Sequence, residues 1–180
     1  MGQSPPRVAV GSIALSRLLA VACLILSVAL PLLSLYALSG LSAEAWFSRV
    51  GLRSLAPTAP WQVGAAFGLA LLPVSAMAYG LLRASQCLRG FVRGEVFDVS
   101  TVKHLRGFAA AALVSALLGL AVPMLISLVL TWHAPPGQHA LAMGVSASDL
   151  LMALVAGIVW QVAAVFTRAI ALAEENAQFI

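Results

Sequence analysis

Four long runs of uncharged, mainly apolar residues dominate the chain, and the segments around them hold all of its charges. Each run is long enough, as a helix rising 1.5 Å per residue, to cross a hydrocarbon layer of about 30 Å. The fourth run reaches that length because Arg168 can extend its head group to the interface. The pattern predicts an all-α integral membrane bundle of four transmembrane helices, in one membrane domain over residues 1–180. The spans are expected at about residues 18–38, 63–82, 107–130 and 150–170.

The positions of Lys and Arg predict the orientation of these spans. With the N-terminus inside, eight of the ten Lys and Arg residues lie on the cytoplasmic side, and only Arg49 and Arg53 lie outside. Such an excess in short loops is typical of the cytoplasmic face. We therefore expect both termini and the linker of residues 83–106 in the cytoplasm, with Ser39–Trp61 and Thr131–Ser148 outside.

The first outer segment contains a short amphipathic stretch. Trp46, Phe47 and Val50 alternate there with polar residues and with Arg49. Such stretches lie along the membrane interface with tryptophan at headgroup depth. The sequence therefore predicts a surface-lying segment between the first two spans.

Composition excludes a soluble globular domain. Hydrophobic residues make up 62% of the chain and charged residues 9%, with a mean hydropathy of +1.01. A soluble domain carries about 25% charged residues, because its surface faces water. The net charge of +4 is explained by topology, since no nucleic-acid-binding motif accompanies it. We expect the lipid bilayer as a partner and no direct nucleic acid binding.

The sequence contains no recognisable catalytic constellation. It lacks a nucleophile with a base and an orienting group, paired carboxylates in a span, an HExxH motif and a glycine-rich phosphate loop. His133, His139 and Asp149 lie near one another in sequence, but their spacing matches no helix face and favours surface histidines over a metal site. We expect no enzyme activity and no catalytic, cofactor-binding or metal-ligating residue.

Within the spans, small and polar residues predict how helices pack. Pro31, Pro73 and Pro123 are expected to be tolerated, because neighbouring helices supply partners for the freed backbone groups. Gln161 is expected to form an interhelical hydrogen bond. No ionisable group lies deep in a predicted span, which argues against proton-coupled transport. Small residues recur at a spacing of four and predict close contacts within the chain or with a second copy: Gly64 and Gly68; Ala111, Ser115 and Gly119; Ala153 and Gly157.

The residue pattern of the linker, residues 83–106, predicts an ordered structure rather than a loose loop. Leu81, Ser85 and Leu88 continue a helical period, so the second helix should run past the membrane surface, and Gly90 and Gly94 would then allow it to stop. Phe97 would then be an apolar anchor in the turn, and Asp98 or Ser100 would cap the next helix.

Two segments of this region resemble the bacterial membrane family called domain of unknown function 2975. The first is Arg-Gly-Glu-Val-Phe at residues 93–97, and the second is Val-Lys-His-Leu-Arg at residues 102–106. The C-terminal end is similar to the family's closing acidic tail, through Glu174, Glu175 and Asn176. The resemblance covers nearly the whole chain in length and layout. It implies a multi-pass protein of the bacterial inner (plasma) membrane, no established activity, and a small helix-turn-helix regulator as a cytoplasmic partner.

These patterns together predict one interaction face. The C-terminal acids should fold against the turn of residues 94–106, because acids at a helix C-terminus are favoured only beside cations. The leading expectation is a non-enzymatic membrane protein that anchors or senses for a cytoplasmic partner. The alternatives are a transporter or channel subunit acting as a homo-oligomer, or an accessory subunit of a larger membrane complex. The candidate face comprises Gly94, Phe97, Lys103, Leu105, Arg106, Glu174, Glu175 and Asn176.

Overall fold

The described residues form four long helices and one short helix. A computed structural model describes the backbone of residues 8–51, 59–93, 99–132 and 147–177. Within these ranges, it describes the side chains of residues 13–169, except that of Asp149. The helices are α1 (Val8–Ser39), α2 (Ala43–Arg49), α3 (Pro60–Val92), α4 (Val99–Leu130) and α5 (Ala147–Ala177), and the described residues contain no strand. Four of them are long and apolar enough to cross a membrane. The all-α, multi-pass architecture is confirmed.

The two central helices are longer than the apolar runs that they contain. The second run continues as helix to Val92, and the third begins at Val99. Most of the predicted linker is therefore helical, because its helical period persists on both sides. The turn between the two helices, residues 94–98, lies outside the described residues.

The long helices pack in the order α1, α3, α4, α5. The α3–α4 pair lies at the centre, α1 packs against α3, and α5 packs against α4. Within the described residues, α1 and α5 make no extensive contact with each other. Both flanking helices expose large apolar side chains, among them Leu18 and Leu32 on α1 and Leu151 and Leu154 on α5. Faces of this kind are suited to lipid rather than to water.

The short helix α2 closes one end of the α3–α4 pair. Ser42 caps its start, where the Ala45 backbone N–H donates to Ser42 Oγ at 3.4 Å. Trp46 and Phe47 are buried in an apolar cluster with Leu38, Ala66, Val122, Ile126 and Leu130. Trp46 is only 1% exposed, so its ring packs inside this cluster, and the predicted headgroup depth of the segment stays a prediction. Leu38 at the end of α1 belongs to the same cluster, so α2 covers the apolar surface that α3 and α4 present beside the end of α1.

A single amide ties the two central helices together at this end. Gln62 is 1% exposed, and its Nε2 donates to the Val129 carbonyl at 2.8 Å. Its Oε1 accepts from the Ala59 backbone N–H at 2.7 Å. One side chain therefore satisfies an N–H at the start of α3 and adds a hydrogen bond to a carbonyl near the end of α4, which also accepts from the Trp132 backbone N–H at 3.4 Å.

The prolines lie inside continuous helices, as expected. Pro31, Pro73 and Pro123 fall within α1, α3 and α4 respectively. The hydroxyl of Ser115 donates to the Pro73 carbonyl at 2.8 Å. This bond joins α4 to α3 at the proline, although the carbonyl that Pro73 deprives of its helical partner is that of Leu69.

Candidate functional site at the basic end

The end of the molecule where α3 finishes and α4 begins carries half of the chain's Lys and Arg residues. We call it the basic end and define it by Arg83, Arg89, Arg93, Lys103 and Arg106. Arg89, Arg93, Lys103 and Arg106 are exposed. The opposite end, closed by α2, is the α2 end.

Small residues bring the two central helices into close contact at the basic end. A Cβ atom built on Gly90 would overlap the Thr101 hydroxyl, and one built on Gly80 would lie 3.1 Å from Ala111 Cβ. Gly90 is therefore a contact position inside α3, and the helix ends two residues after it, at Val92, between the two glycines expected to let it stop. The sequence signal was ambiguous, because a glycine near a helix end serves either purpose. Gly94 lies outside the described residues.

Arg83 joins α3 to α4 through a small polar cluster. Its Nε and Nη2 donate to the Tyr79 hydroxyl at 2.9 and 2.6 Å, and its guanidinium lies 5.1 Å from the Tyr79 ring centroid. Its Nη1 lies 3.3 Å from His104 Nδ1. Since arginine only donates, His104 Nδ1 must accept in this contact. The stem of Arg83 crosses α4 at Gly107, where an added Cβ would lie 3.3 Å from Arg83 Cγ.

A groove lies between α4 and α5 beside this cluster. The Arg106 guanidinium lies over the Trp160 ring, 4.9 Å from its centroid, and Lys103 is exposed one turn earlier on α4. The groove has a volume of about 490 Å³, and its described lining is Val99, Val102, Lys103, Arg106, Gly107, Ala110, Trp160 and Thr167.

The contact of Arg106 links the start of α4 to the apolar part of α5. Trp160 lies near the middle of that part, Leu150–Ala169, and Arg106 reaches its ring from the end of the apolar run of α4. The expectation that no ionisable group lies deep in a span stays a prediction. Hydropathy does not reveal how far two neighbouring helices are displaced along each other, and α5 is placed so that Trp160 meets the start of α4.

A second basic groove lies between α1 and α3. It has a volume of about 530 Å³ and is lined by Arg17, Ala20, Val21, Arg89, Val92 and Arg93. The two grooves flank the same end of the α3–α4 pair. Lys and Arg donate hydrogen bonds and accept none, and arginine does not lose its proton in proteins. The basic end is therefore suited to binding anionic groups rather than to relaying protons.

The predicted interaction face is only partly described. Lys103 and Arg106 are exposed, and Leu105 is half-buried beside them. Gly94 and Phe97 lie outside the described residues. The backbone of Glu174, Glu175 and Asn176 continues α5, but their side chains also lie outside the described part. The contact predicted between the C-terminal acids and the turn stays a prediction.

Several predicted packing residues face outward instead. Gln161 is exposed and makes no hydrogen bond within the described residues, so the expected interhelical bond inside the chain is absent there. A Cβ added at Gly64, Gly68 or Gly157 would meet no atom within 4 Å. Ala111 and Ser115, by contrast, contact α3 as predicted.

The described residues offer no group suited to a metal ion. No cluster of three or more His, Cys, Asp or Glu side chains occurs among them. Cys23 and Cys87 are free thiols. His133 and His139 and the side chain of Asp149 lie outside the described part of the chain.

No protein-family model, curated protein or solved structure matches the chain. Membership of the family that it resembles in residues 93–106 stays a prediction.

Proposed function

We propose that the chain is a non-enzymatic protein of the bacterial inner membrane whose basic end holds a cytoplasmic partner at the bilayer. The observation that carries this proposal is the close contact of Gly90 with Thr101, directly beside exposed Arg89. A surface fixed by helix packing loses little conformational freedom when it binds. The tip of the α3–α4 pair therefore presents its cations on a preformed support.

Charge supports both the orientation and the chemistry of the partner. The excess of Lys and Arg at this end supports a cytoplasmic position for it. Exposed Arg89 and Arg93 at the tip of α3 favour a partner with an acidic surface, because complementary charge speeds association and orients the complex. The family resemblance adds a small helix-turn-helix regulator as the first candidate.

Purification in mild detergent, followed by quantitative mass spectrometry, tests this function. The Arg89→Glu/Arg93→Glu variant reverses charge at the tip, and Arg49→Glu reverses it at the α2 end as a matched control. We expect a cytoplasmic protein to co-purify with the wild type and the control and to fall severalfold with the tip variant. Co-purification of the same proteins in equal amounts with all three chains contradicts the proposal.

A second candidate, a homo-oligomer such as a channel or transporter subunit, is favoured by Gln161. This amide lies on one face of α5 with Leu154, Ile158 and Val165, which are 62, 54 and 58% exposed. An amide facing lipid is costly, and it both donates and accepts, so a second copy of the same face could satisfy it.

Cysteine cross-linking in membranes tests the second candidate. In a chain with Cys23 and Cys87 replaced, Gln161→Cys should give a disulfide-linked dimer under mild oxidation. Ala163→Cys is the matched control, because Ala163 is 0% exposed within the chain. If both positions give equal amounts of dimer, or if neither position gives any, the homo-oligomer proposal is contradicted.

A further inference from the structure

We propose that the groove between α4 and α5 binds one anionic phospholipid, with its phosphate held by Lys103 and Arg106 and an acyl chain lying beside Trp160. This site is distinct from the tip of α3, where the partner is proposed to bind. It does not depend on which side of the membrane the basic end faces.

The shape of the groove fits an amphiphile. Its volume of about 490 Å³ falls in the range of about 300–1,000 Å³ that is typical of ligand sites. Val99, Val102, Gly107 and Ala110 form an apolar wall along α4. Because α4 and α5 are both long and apolar enough to cross a membrane, the groove between them faces the hydrocarbon layer along much of its length.

The charge at its mouth selects an anion. Lys103 and Arg106 are three residues apart on one helix and therefore lie on the same side of α4. None of the described residues that line the groove is acidic. The Thr167 hydroxyl donates to the Ala163 carbonyl at 2.9 Å, so the two cations are the main donors available to a phosphate.

Trp160 positions Arg106 for this role. The guanidinium lies over the ring at 4.9 Å, an arrangement in which the ring face attracts the cation. This contact uses the charge of the guanidinium, and N–H donors that do not face the ring stay available to phosphate oxygens. The aromatic contact thus holds the cation in place without occupying its hydrogen-bond donors.

A phospholipid explains the whole groove, whereas a soluble anion explains only its mouth. Inorganic phosphate would contact Lys103 and Arg106 and leave the apolar wall uncovered. Basic pockets between membrane helices are a known form of site for anionic headgroups. The groove between α1 and α3 is also basic, but its described lining includes no aromatic residue.

Fluorescence quenching of Trp160 tests the proposal directly. The full chain is reconstituted in phosphatidylcholine vesicles that contain a small, equal fraction of either brominated phosphatidylglycerol or brominated phosphatidylcholine. Subtracting the signal of a Trp160→Phe variant isolates Trp160 from Trp46, Trp61 and Trp132. We expect the anionic brominated lipid to quench Trp160 severalfold more than the neutral one.

Variants identify the residues responsible for that preference. Lys103→Gln/Arg106→Gln should abolish it, and Arg17→Gln/Arg89→Gln, which removes two cations from the other groove, should leave it intact. Both pairs are exposed, so the fold should tolerate these changes, which the helical circular dichroism signal checks. Equal quenching by the two lipids, equal loss in both double variants, or displacement of the brominated anionic lipid by inorganic phosphate overturns the proposal.

Discussion

The α3–α4 pair is held together in opposite ways at its two ends. At the α2 end, large side chains fill the contact: Trp46 and Phe47 are 1 and 3% exposed, and Gln62 bridges the helix termini. At the basic end, the helices touch through Gly90 and Thr101, and Arg83 packs across α4 at Gly107. The remaining long side chains there are exposed cations: Arg89, Arg93, Lys103 and Arg106.

This difference indicates that the α2 end mainly stabilises the fold and that the basic end mainly serves binding. Burial of a large aromatic side chain contributes several kcal/mol, whereas a glycine contact contributes little area and mainly fixes distance. The α2 end should therefore dominate the free energy of unfolding. The basic end should tolerate changes of its exposed charges and respond to them in binding.

The largest effect on stability is expected for Trp46→Ala. Removing this buried ring should lower the free energy of unfolding by about 3–5 kcal/mol, because a cavity remains among Ala66, Val122 and Ile126. Thermal unfolding in detergent measures the change. Trp132→Ala is the control, since Trp132 is 69% exposed and its loss should hardly shift the midpoint. Equal shifts for the two variants would mean that α2 does not stabilise the central pair.

The next effect is expected for Gln62→Leu. The substitution keeps side-chain volume but leaves the Val129 carbonyl and the Ala59 N–H without this partner, which should cost about 1–3 kcal/mol. The matched control is Gln161→Leu, where the amide is exposed and makes no hydrogen bond within the described residues. If Gln161→Leu lowers stability as much as Gln62→Leu does, the hydrogen bonds of Gln62 are not the cause of the loss.

At the basic end, Gly90→Ala should destabilise by about 1–2 kcal/mol through overpacking against Thr101. Gly68→Ala, with open space around the added methyl group, should be neutral or slightly stabilising. If the contact is the cause, combining Gly90→Ala with Thr101→Ala should recover much of the loss. Failure of that rescue would show that Gly90 acts through the backbone alone.

The smallest effect on stability is expected for Arg89→Gln. An exposed side chain away from packed contacts should change the free energy of unfolding by no more than about 0.5 kcal/mol. Co-purification of the cytoplasmic partner should nevertheless fall. If Arg89→Gln lowers the free energy of unfolding but leaves co-purification of the partner unchanged, the roles proposed for the two ends are contradicted.

The spans could be predicted from the sequence because their length and lack of charge are properties of composition. The same holds for the basic cluster, whose members lie close together in sequence from Arg83 to Arg106. Neither property depends on which helices become neighbours, and the four long helices therefore match the expectation.

Contacts between distant residues could not be predicted in this way. Gln62 looks like an ordinary polar residue at the start of an apolar run, and nothing local marks Val129 as its acceptor. Gly90 resembles a helix stop until Thr101 is seen against it. The outward position of Gln161 and the contact of Arg106 with Trp160 depend on the rotation and displacement of α5 against α4, which a hydropathy pattern does not contain.

Cysteine accessibility from the two sides of the membrane tests the central proposal, that the basic end faces the cytoplasm, most directly. In a chain with Cys23 and Cys87 replaced, single cysteines are introduced at Arg89, at Lys103 and at Gln138. A membrane-impermeant maleimide added to intact cells should label Gln138→Cys alone, and the other two positions should react only after permeabilisation. Labelling of Arg89→Cys and Lys103→Cys in intact cells, with Gln138→Cys protected, would contradict the account.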